Sequence, residues 1–235
     1  MKSSHFLGMT LLLASACNSA SALEAFEARF AVSRNDKALG TMDMRLSAPA
    51  PGQWLFVSRT EGQKGLAGFL GVSIEERSQL VESDHGLTTQ SYSYQQDMVG
   101  RHRKRQLSVG ADGSVSESEG DKSWNYSLVR PVFDKHAVVL GIAERLASQT
   151  EAGSVFDLPV ASKGKVESWR FLVVGEEDVE TAGGKVKAVR VERMRENADR
   201  KTTSWHAASM GYLPVKVEQT EPDGERISSV LQSYQ

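Results

Sequence analysis

Five consecutive residues, Arg101-His102-Arg103-Lys104-Arg105, form the densest concentration of chemistry in this chain of 235 residues. On an extended strand alternate side chains share a face, so Arg101, Arg103 and Arg105 line one side while His102 and Lys104 take the other. Three guanidiniums in a row require counter-charge, and their planar forks fit phosphate and carboxylate. Two readings follow. One is contact with an anionic headgroup or an acidic partner. The other is a cross-strand ladder with acids such as Glu117 and Glu119, which can be satisfied locally and is the simpler of the two.

The remaining reactive side chains are scattered. Of the five histidines, His5 lies in a leader-like segment, while His85, His102, His136 and His206 stand apart from one another, and solvated histidines without a metal are expected. Glu176-Glu177-Asp178 offers carboxylates to a hard cation but lacks the ligand spacing of a calcium loop. It reads as the solvated end of a strand. The chain contains no G-x-S-x-G elbow, H-E-x-x-H helix, phosphate-binding glycine loop or C-x-x-C pair. No catalytic residue, metal ligand or cofactor is therefore assigned, and a non-enzymatic protein is expected.

One apolar segment has a binding chemistry of its own. Between Gly62 and Val72, the glycines Gly65, Gly68 and Gly71 alternate with Leu66, Phe69 and Leu70. A supple loop of this kind is either a flap that inserts apolar side chains into a cavity or a plug for the open end of a sheet. Met42, Met44, Met98 and Met194 are candidate adaptable lining, with ordinary core packing as the alternative.

The elements that must carry these residues are mostly strands. Period-two alternation marks Phe26 to Val32, Met42 to Leu46, Trp54 to Thr60, Val72 to Val81, Leu87 to Met98 and Arg101 to Val109. A turn at Ala111-Asp112-Gly113 leads into a long segment, Ser114 to Leu128. Further strands are expected over Ser154 to Ala161, Val166 to Val174, Lys185 to Met194, Lys201 to Ala207, Leu213 to Gln219 and Arg226 to Tyr234. One segment breaks the rhythm. From Asp134 to Ser148, Val138, Val139, Ile142, Ala143 and Leu146 fall at helical spacing, and the Asp134 carboxylate can cap the start. The fold class is mainly β: a strongly curved antiparallel sheet, half-barrel or barrel-like meander, with one main α-helix packed on it.

The first 22 residues supply an address. Lys2 opens a short positive start, Phe6 to Ala16 is an apolar run, and Ala20-Ser21-Ala22 fits a signal-peptidase site. The run is shorter than the roughly 20 residues a membrane span needs, so residues 1–22 are expected to be a cleaved signal peptide and 23–235 a single exported periplasmic domain. Cys17 is the only cysteine, and lipid attachment there is the alternative. After cleavage at Ala22 no disulfide is possible, and stability rests on core burial. Formal net charge is −2, which gives no global attraction to nucleic acid, and no second long apolar run suggests a transmembrane span.

The order of motifs resembles DUF3108, a family of bacterial exported proteins of unknown function. The likeness rests on Phe26 to Gly40 with its Ser33-Arg34-Asn35-Asp36 turn, and on Ser58-Arg59-Thr60-Glu61-Gly62 running into Gly65-Leu66-Ala67-Gly68. It continues in Thr181-Ala182-Gly183-Gly184 followed by Val189-Arg190-Val191-Glu192, and in Trp205 with Leu213-Pro214-Val215-Lys216-Val217-Glu218 downstream. The resemblance implies a curved antiparallel sheet with a helix, similar in outline to the half-barrels of periplasmic lipoprotein carriers, and carries over no catalytic residue. The expected function is binding of an apolar or amphiphilic ligand, such as a lipid, between the sheet and the helix. A structural or protein-interaction module of the cell envelope is the alternative.

Overall fold

The computed structural model describes residues 23–62, 71–83, 86–128, 131–195 and 200–235. Eight strands run consecutively in the first half: β1 (Phe26–Arg34), β2 (Lys37–Ala50), β3 (Gln53–Gly62), β4 (Ser73–Ser83), β5 (Gly86–Met98), β6 (Arg101–Val109), β7 (Ser114–Glu119) and β8 (Lys122–Ser127). A crossing segment then carries α1 (Val138–Leu146). The second half adds β9 (Val155–Ser162), β10 (Lys165–Thr181), β11 (Gly184–Met194), β12 (Lys201–Ala207), β13 (Leu213–Thr220) and β14 (Arg226–Tyr234). All fourteen belong to one antiparallel sheet, ordered β8-β7-β6-β5-β4-β3-β2-β1-β14-β13-β12-β11-β10-β9. The two meanders join where β1 pairs with β14, so both ends of the domain lie mid-sheet while β8 and β9 are its edges.

Alternation explains the curvature. In β1 Phe26, Ala28, Phe30 and Val32 are buried while Glu27, Arg29 and Ala31 are exposed, and this half-buried pattern recurs around the sheet. The inward rows coil around α1, whose Leu140, Ile142 and Leu146 are buried in one core cluster with Phe30, Leu46, Phe56 and Leu80. The helix approaches so closely that a Cβ on Gly141 would stand 2.7 Å from two ring carbons of Phe133.

The sequence reading differs at three places. Ser114 to Leu128 is two strands, because Gly120 takes φ +58° and turns the chain. The helix starts at Val138, after a turn at residues 135–137 held by Asp134, whose Oδ1 accepts the backbone N–H groups of His136 and Ala137 at 2.8 and 3.0 Å. The acidic run lies inside the 17-residue β10, where Glu176, Glu177 and Asp178 face Val189, Ala188 and Lys187 of β11.

No backbone ladder joins β8 to β9, so the sheet is open. The gap is spanned by the segment before the helix. Thr89 N–H donates to Val132 O at 2.8 Å on one side; on the other, Phe133 N–H donates to Pro159 O at 2.9 Å and Ala161 N–H to Phe133 O at 2.8 Å. Side chains complete the seam. Glu117 accepts the N–H groups of Lys163 and Gly164 at 2.7 and 2.9 Å. Gly164, at φ +80°, lies so close under Trp124 that a Cβ would stand 2.5 Å from its ring. A second apolar cluster of Tyr92, Leu107, Val115, Val132 and Ala161 lies under the seam.

Candidate functional site

The interior contains a polar cluster that the apolar pattern conceals. Ser78 on β4 and Thr89 on β5 point inward and are 0% and 1% exposed. Ser78 Oγ lies 3.0 Å from Asp134 Oδ1 and 2.9 Å from His136 Nδ1, and Thr89 Oγ1 donates to Asp134 Oδ2 at 2.9 Å. Asp134 N–H returns a bond to Thr89 Oγ1. His136 stacks on Phe56 with ring centroids 4.2 Å apart. Nearby, Tyr92 donates its hydroxyl to Glu76 Oε1 at 2.6 Å. Burial pushes the carboxyls of Asp134 and Glu76 above their ordinary range, against the pull of their hydrogen bonds. It also lowers the His136 imidazole to about 3.

Serine, histidine and aspartate in contact invite comparison with a hydrolytic triad, but the order is wrong. A triad needs the histidine between nucleophile and carboxylate. Here Ser78 sits in the middle, bonded to both Asp134 and His136. The cluster instead ties residues 134–137 to β4 and β5, satisfying the Asp134 carboxylate and the His136 Nδ1, while the buried His136 Nε2 has no hydrogen-bond partner among the described residues. Among the described residues no group of three or more His, Cys, Asp or Glu is placed to hold a metal.

The space between sheet and helix is filled. Phe26, Phe30, Met44, Phe56, Val139, Leu213 and Leu231 converge on a cavity of about 10 Å³, barely the volume of one water. The expected ligand site between sheet and helix is therefore occupied by the protein's own side chains wherever described residues form its walls. Leu66, Phe69 and Leu70, the candidate flap, lie outside the described residues, as does His85. Of the methionines, Met42 and Met44 pack on the core, Met98 is half-buried and Met194 is exposed.

The large concavity is on the outside. A groove of about 650 Å³ runs over β1 to β4, within the size range of small-molecule sites. Cross-strand register builds it. Glu27, Arg45, Val57 and Arg77 form one row, and Arg29, Asp43, Arg59 and Glu75 the next. In the second row charges alternate and pair tightly: Arg29 Nε to Asp43 at 2.6 Å and Arg59 Nε to Glu75 at 2.6 Å. Hydrogen bonds from Arg59 and Arg77 hold the Glu75 carboxyl below its usual range. In the first row Arg45 and Arg77 flank Val57, each reaching one acid at 3.3 Å, while Leu55 and Val57 supply half-buried apolar surface. Sequence reading missed this groove. Its signal was present in the charged residues at the outward positions of β1 to β3, but a strand pattern does not reveal which outward faces become concave.

The arginine run resolves along its length. Arg105 pairs with Glu119 at 2.7 Å, as the ladder reading requires, and its guanidinium lies over Tyr94 at 5.4 Å. Glu117 is not part of that ladder; it caps the seam turn. Arg101 and Arg103 are exposed on a stretch of β6 that extends beyond its pairing with β7. Of the histidines expected to be solvated, His102 is exposed and bonds Asp97 at 2.7 Å, but His136 and His206 are buried. His206 spans Tyr212 O and Ser204 Oγ, each at 2.8 Å, and burial lowers its imidazole to about 4. In His206 local polar partners replace the water that both ring nitrogens lose, whereas His136 is bonded only through Nδ1 and its Nε2 is buried without a hydrogen-bond partner among the described residues. In the acidic run, Glu177 accepts the Trp205 indole N–H.

The molecule is thus an open, barrel-like antiparallel sheet wrapped around one helix. The chain belongs to the DUF3108 family, described as a protein of unknown function, whose model matches residues 27–231. The crystal structure of a β-barrel-like protein of the domain of unknown function DUF1849 from Brucella abortus has the same fold, with a TM-score of 0.58 and 8% identity. That similarity covers 89% of this chain and 96% of the other. No curated protein matches the chain.

Proposed function

We propose that this is an exported, non-enzymatic binding protein that takes an amphiphilic anion in the outer groove over β1 to β4. The observation that carries this reading is the row Arg45–Val57–Arg77: two loosely paired guanidiniums on either side of an apolar step, within a concavity of about 650 Å³. A phosphate or carboxylate head can displace the 3.3 Å contacts at modest cost, since exposed ion pairs contribute only about 0–1 kcal/mol. A tail can then lie along Leu55 and Val57. The leader pattern at residues 1–22 supports a periplasmic location. The packed interior favours the outer face over the space around α1.

Calorimetric titration with dodecyl phosphate and, separately, dodecyl maltoside tests the reading. The phosphate should bind more tightly, and the Arg45→Ala/Arg77→Ala double variant should lose about tenfold in affinity, about 1.4 kcal/mol. Equal binding of both amphiphiles, unchanged in the double variant, would rule the groove out as an anion site. The second reading, a protein-interaction module of the envelope, is favoured by the exposed Arg101 and Arg103 beyond the β6–β7 pairing. It requires that neutralising both residues removes an acidic partner from pull-downs while leaving stability unchanged.

A further inference from the structure

Beyond the groove, the tip of the β5–β6 hairpin stands clear of the rest of the sheet. The two strands pair with each other out to Met98 and Arg101, and the turn Val99-Gly100 joins them with Gly100 at φ +73°. On one side the last partner of the hairpin is Ser73 of β4, opposite Asp97. On the other it is Glu119 of β7, opposite Arg105, with the Gly120 N–H reaching Lys104 O at 3.3 Å. Residues 101–103 carry β6 further outward, about 10 Å at the rise of a strand. A Cβ on Gly100 would meet nothing within 4 Å.

The tip has an order of chemistry along its length. At the apex Val99 is 84% exposed, the most open large apolar side chain among the described residues. Behind it Arg101, His102, Arg103 and Lys104 are all exposed. The carboxylate of Asp97 is already engaged, by His102 Nδ1 at 2.7 Å and Gln95 Nε2 at 2.8 Å. Among the described residues Arg101, Arg103 and Lys104 form no ion pair, whereas Arg105, the next residue along the strand, pairs with Glu119 at 2.7 Å.

Strand alternation sends Arg101 and Arg103 to one face and Lys104 to the other, so the free cations surround the apex instead of converging on a point. A small anion needs donors that converge. An acidic protein would need carboxylates set around a projecting knob and a socket for Val99. An anionic bilayer meets the arrangement as it stands, with the apolar apex at the acyl boundary and the cations at headgroup depth. The whole chain carries a formal net charge of −2, so attraction to such a surface has to be local, and the hairpin tip is where unpaired positive charge is concentrated.

We propose that the β5–β6 hairpin docks the protein on an anionic lipid surface, with Val99 entering the headgroup layer and Arg101, Arg103 and Lys104 binding lipid phosphates. Attachment is reversible and salt-sensitive, because three exposed cations and one valine stop well short of an anchor. The site is separate from the arginine groove and does not depend on the function proposed for it.

Co-sedimentation with vesicles of phosphatidylglycerol and phosphatidylcholine, against vesicles of phosphatidylcholine alone, tests the assignment. The protein should pellet with the anionic vesicles, remain in solution with the neutral ones, and be released by about 0.5 M salt, which shortens the reach of charge to a few ångströms. The Arg101→Gln/Arg103→Gln variant should lose at least about tenfold in vesicle affinity. Its circular dichroism spectrum and dodecyl phosphate titration should match the wild type, since both sites are exposed and outside the groove. Val99→Ser should weaken vesicle binding severalfold. Failure to pellet, equal partition into both kinds of vesicle, or undiminished binding by either variant would each overturn the proposal. Soluble poly-glutamate bound as tightly as the anionic vesicles would also overturn it, by giving the hairpin to an acidic protein.

Discussion

Asp134 shows how one residue can fix a fold that has no ladder at its seam. Its carboxylate collects hydrogen bonds from Ser78, Thr89, His136 N–H and Ala137 N–H, all buried. Asp134→Asn replaces an acceptor by an amide donor facing donors, and should cost about 2–3 kcal/mol in urea unfolding; a loss below about 1 kcal/mol would contradict the role. The two buried histidines set an acid limit. Their folded imidazoles lie at about 3 and about 4, below the unfolded value of about 6.5. Between those values the unfolded chain binds protons that the folded chain refuses. Stability is therefore complete above about pH 6.5 and falls as pH drops through that window. The raised carboxyls of Asp134 and Glu76 act in the opposite sense at low pH, so the difference between wild type and variant is the clean readout. His206→Asn should flatten the fall by about 3 kcal/mol between pH 6.5 and pH 4. Identical pH slopes would show that His206 titrates as it does in water. The capping role of Asp134 was legible in sequence, but the buried histidines were not, because an isolated histidine looks the same whether its partners are water or, as here, Tyr212 O and Ser204 Oγ.

At the scale of elements the sequence was more informative. Period-two alternation marked β1, β3 and β6 to within a few residues, since half-burial imposes it directly. The helix was readable from Val138, Val139, Ile142 and Leu146 because its stripe must face the sheet. The break between β7 and β8 escaped notice: Glu119-Gly120-Asp121-Lys122 turns without interrupting the polar alternation on either side. Gly141 tests how tightly the helix is seated. Gly→Ala in a helix gains about 1 kcal/mol of propensity, but the 2.7 Å approach to Phe133 forces overpacking that costs about 1–3 kcal/mol. Gly141→Ala should therefore lower the midpoint of thermal unfolding, and Phe133→Leu in the same chain should restore part of it. A rise in the midpoint of the single variant would mean the helix sits more loosely than described.

The whole molecule is a spiral whose ends meet through a single crossing segment and a few side chains. Glu117 is the half-buried side chain that links β7 to the β9–β10 turn in that closure, and Glu117→Ala leaves the Lys163 and Gly164 N–H groups without that acceptor. Hydrogen exchange should accelerate at those two amides and at Phe133 and Ala161, with a global loss of about 1–2 kcal/mol. Unchanged exchange at the seam would show that Glu117 contributes nothing to closure. The sequence-derived picture of a curved sheet with one helix survives intact. The ligand's expected place inside it does not, because the helix and the inward phenylalanines fill the volume that curvature creates. Charge and concavity are why the outer groove is the binding surface proposed above, and both are properties of three-dimensional register that no single strand carries.

Paramagnetic broadening by a nitroxide-labelled fatty acid in an ¹⁵N spectrum tests that relocation most directly. The account predicts loss of signal at Arg45, Leu55, Val57 and Arg77, with Phe30, Phe56 and Leu140 spared. Broadening centred on Phe56, Val139 and Leu140 would place the ligand inside the sheet and contradict it.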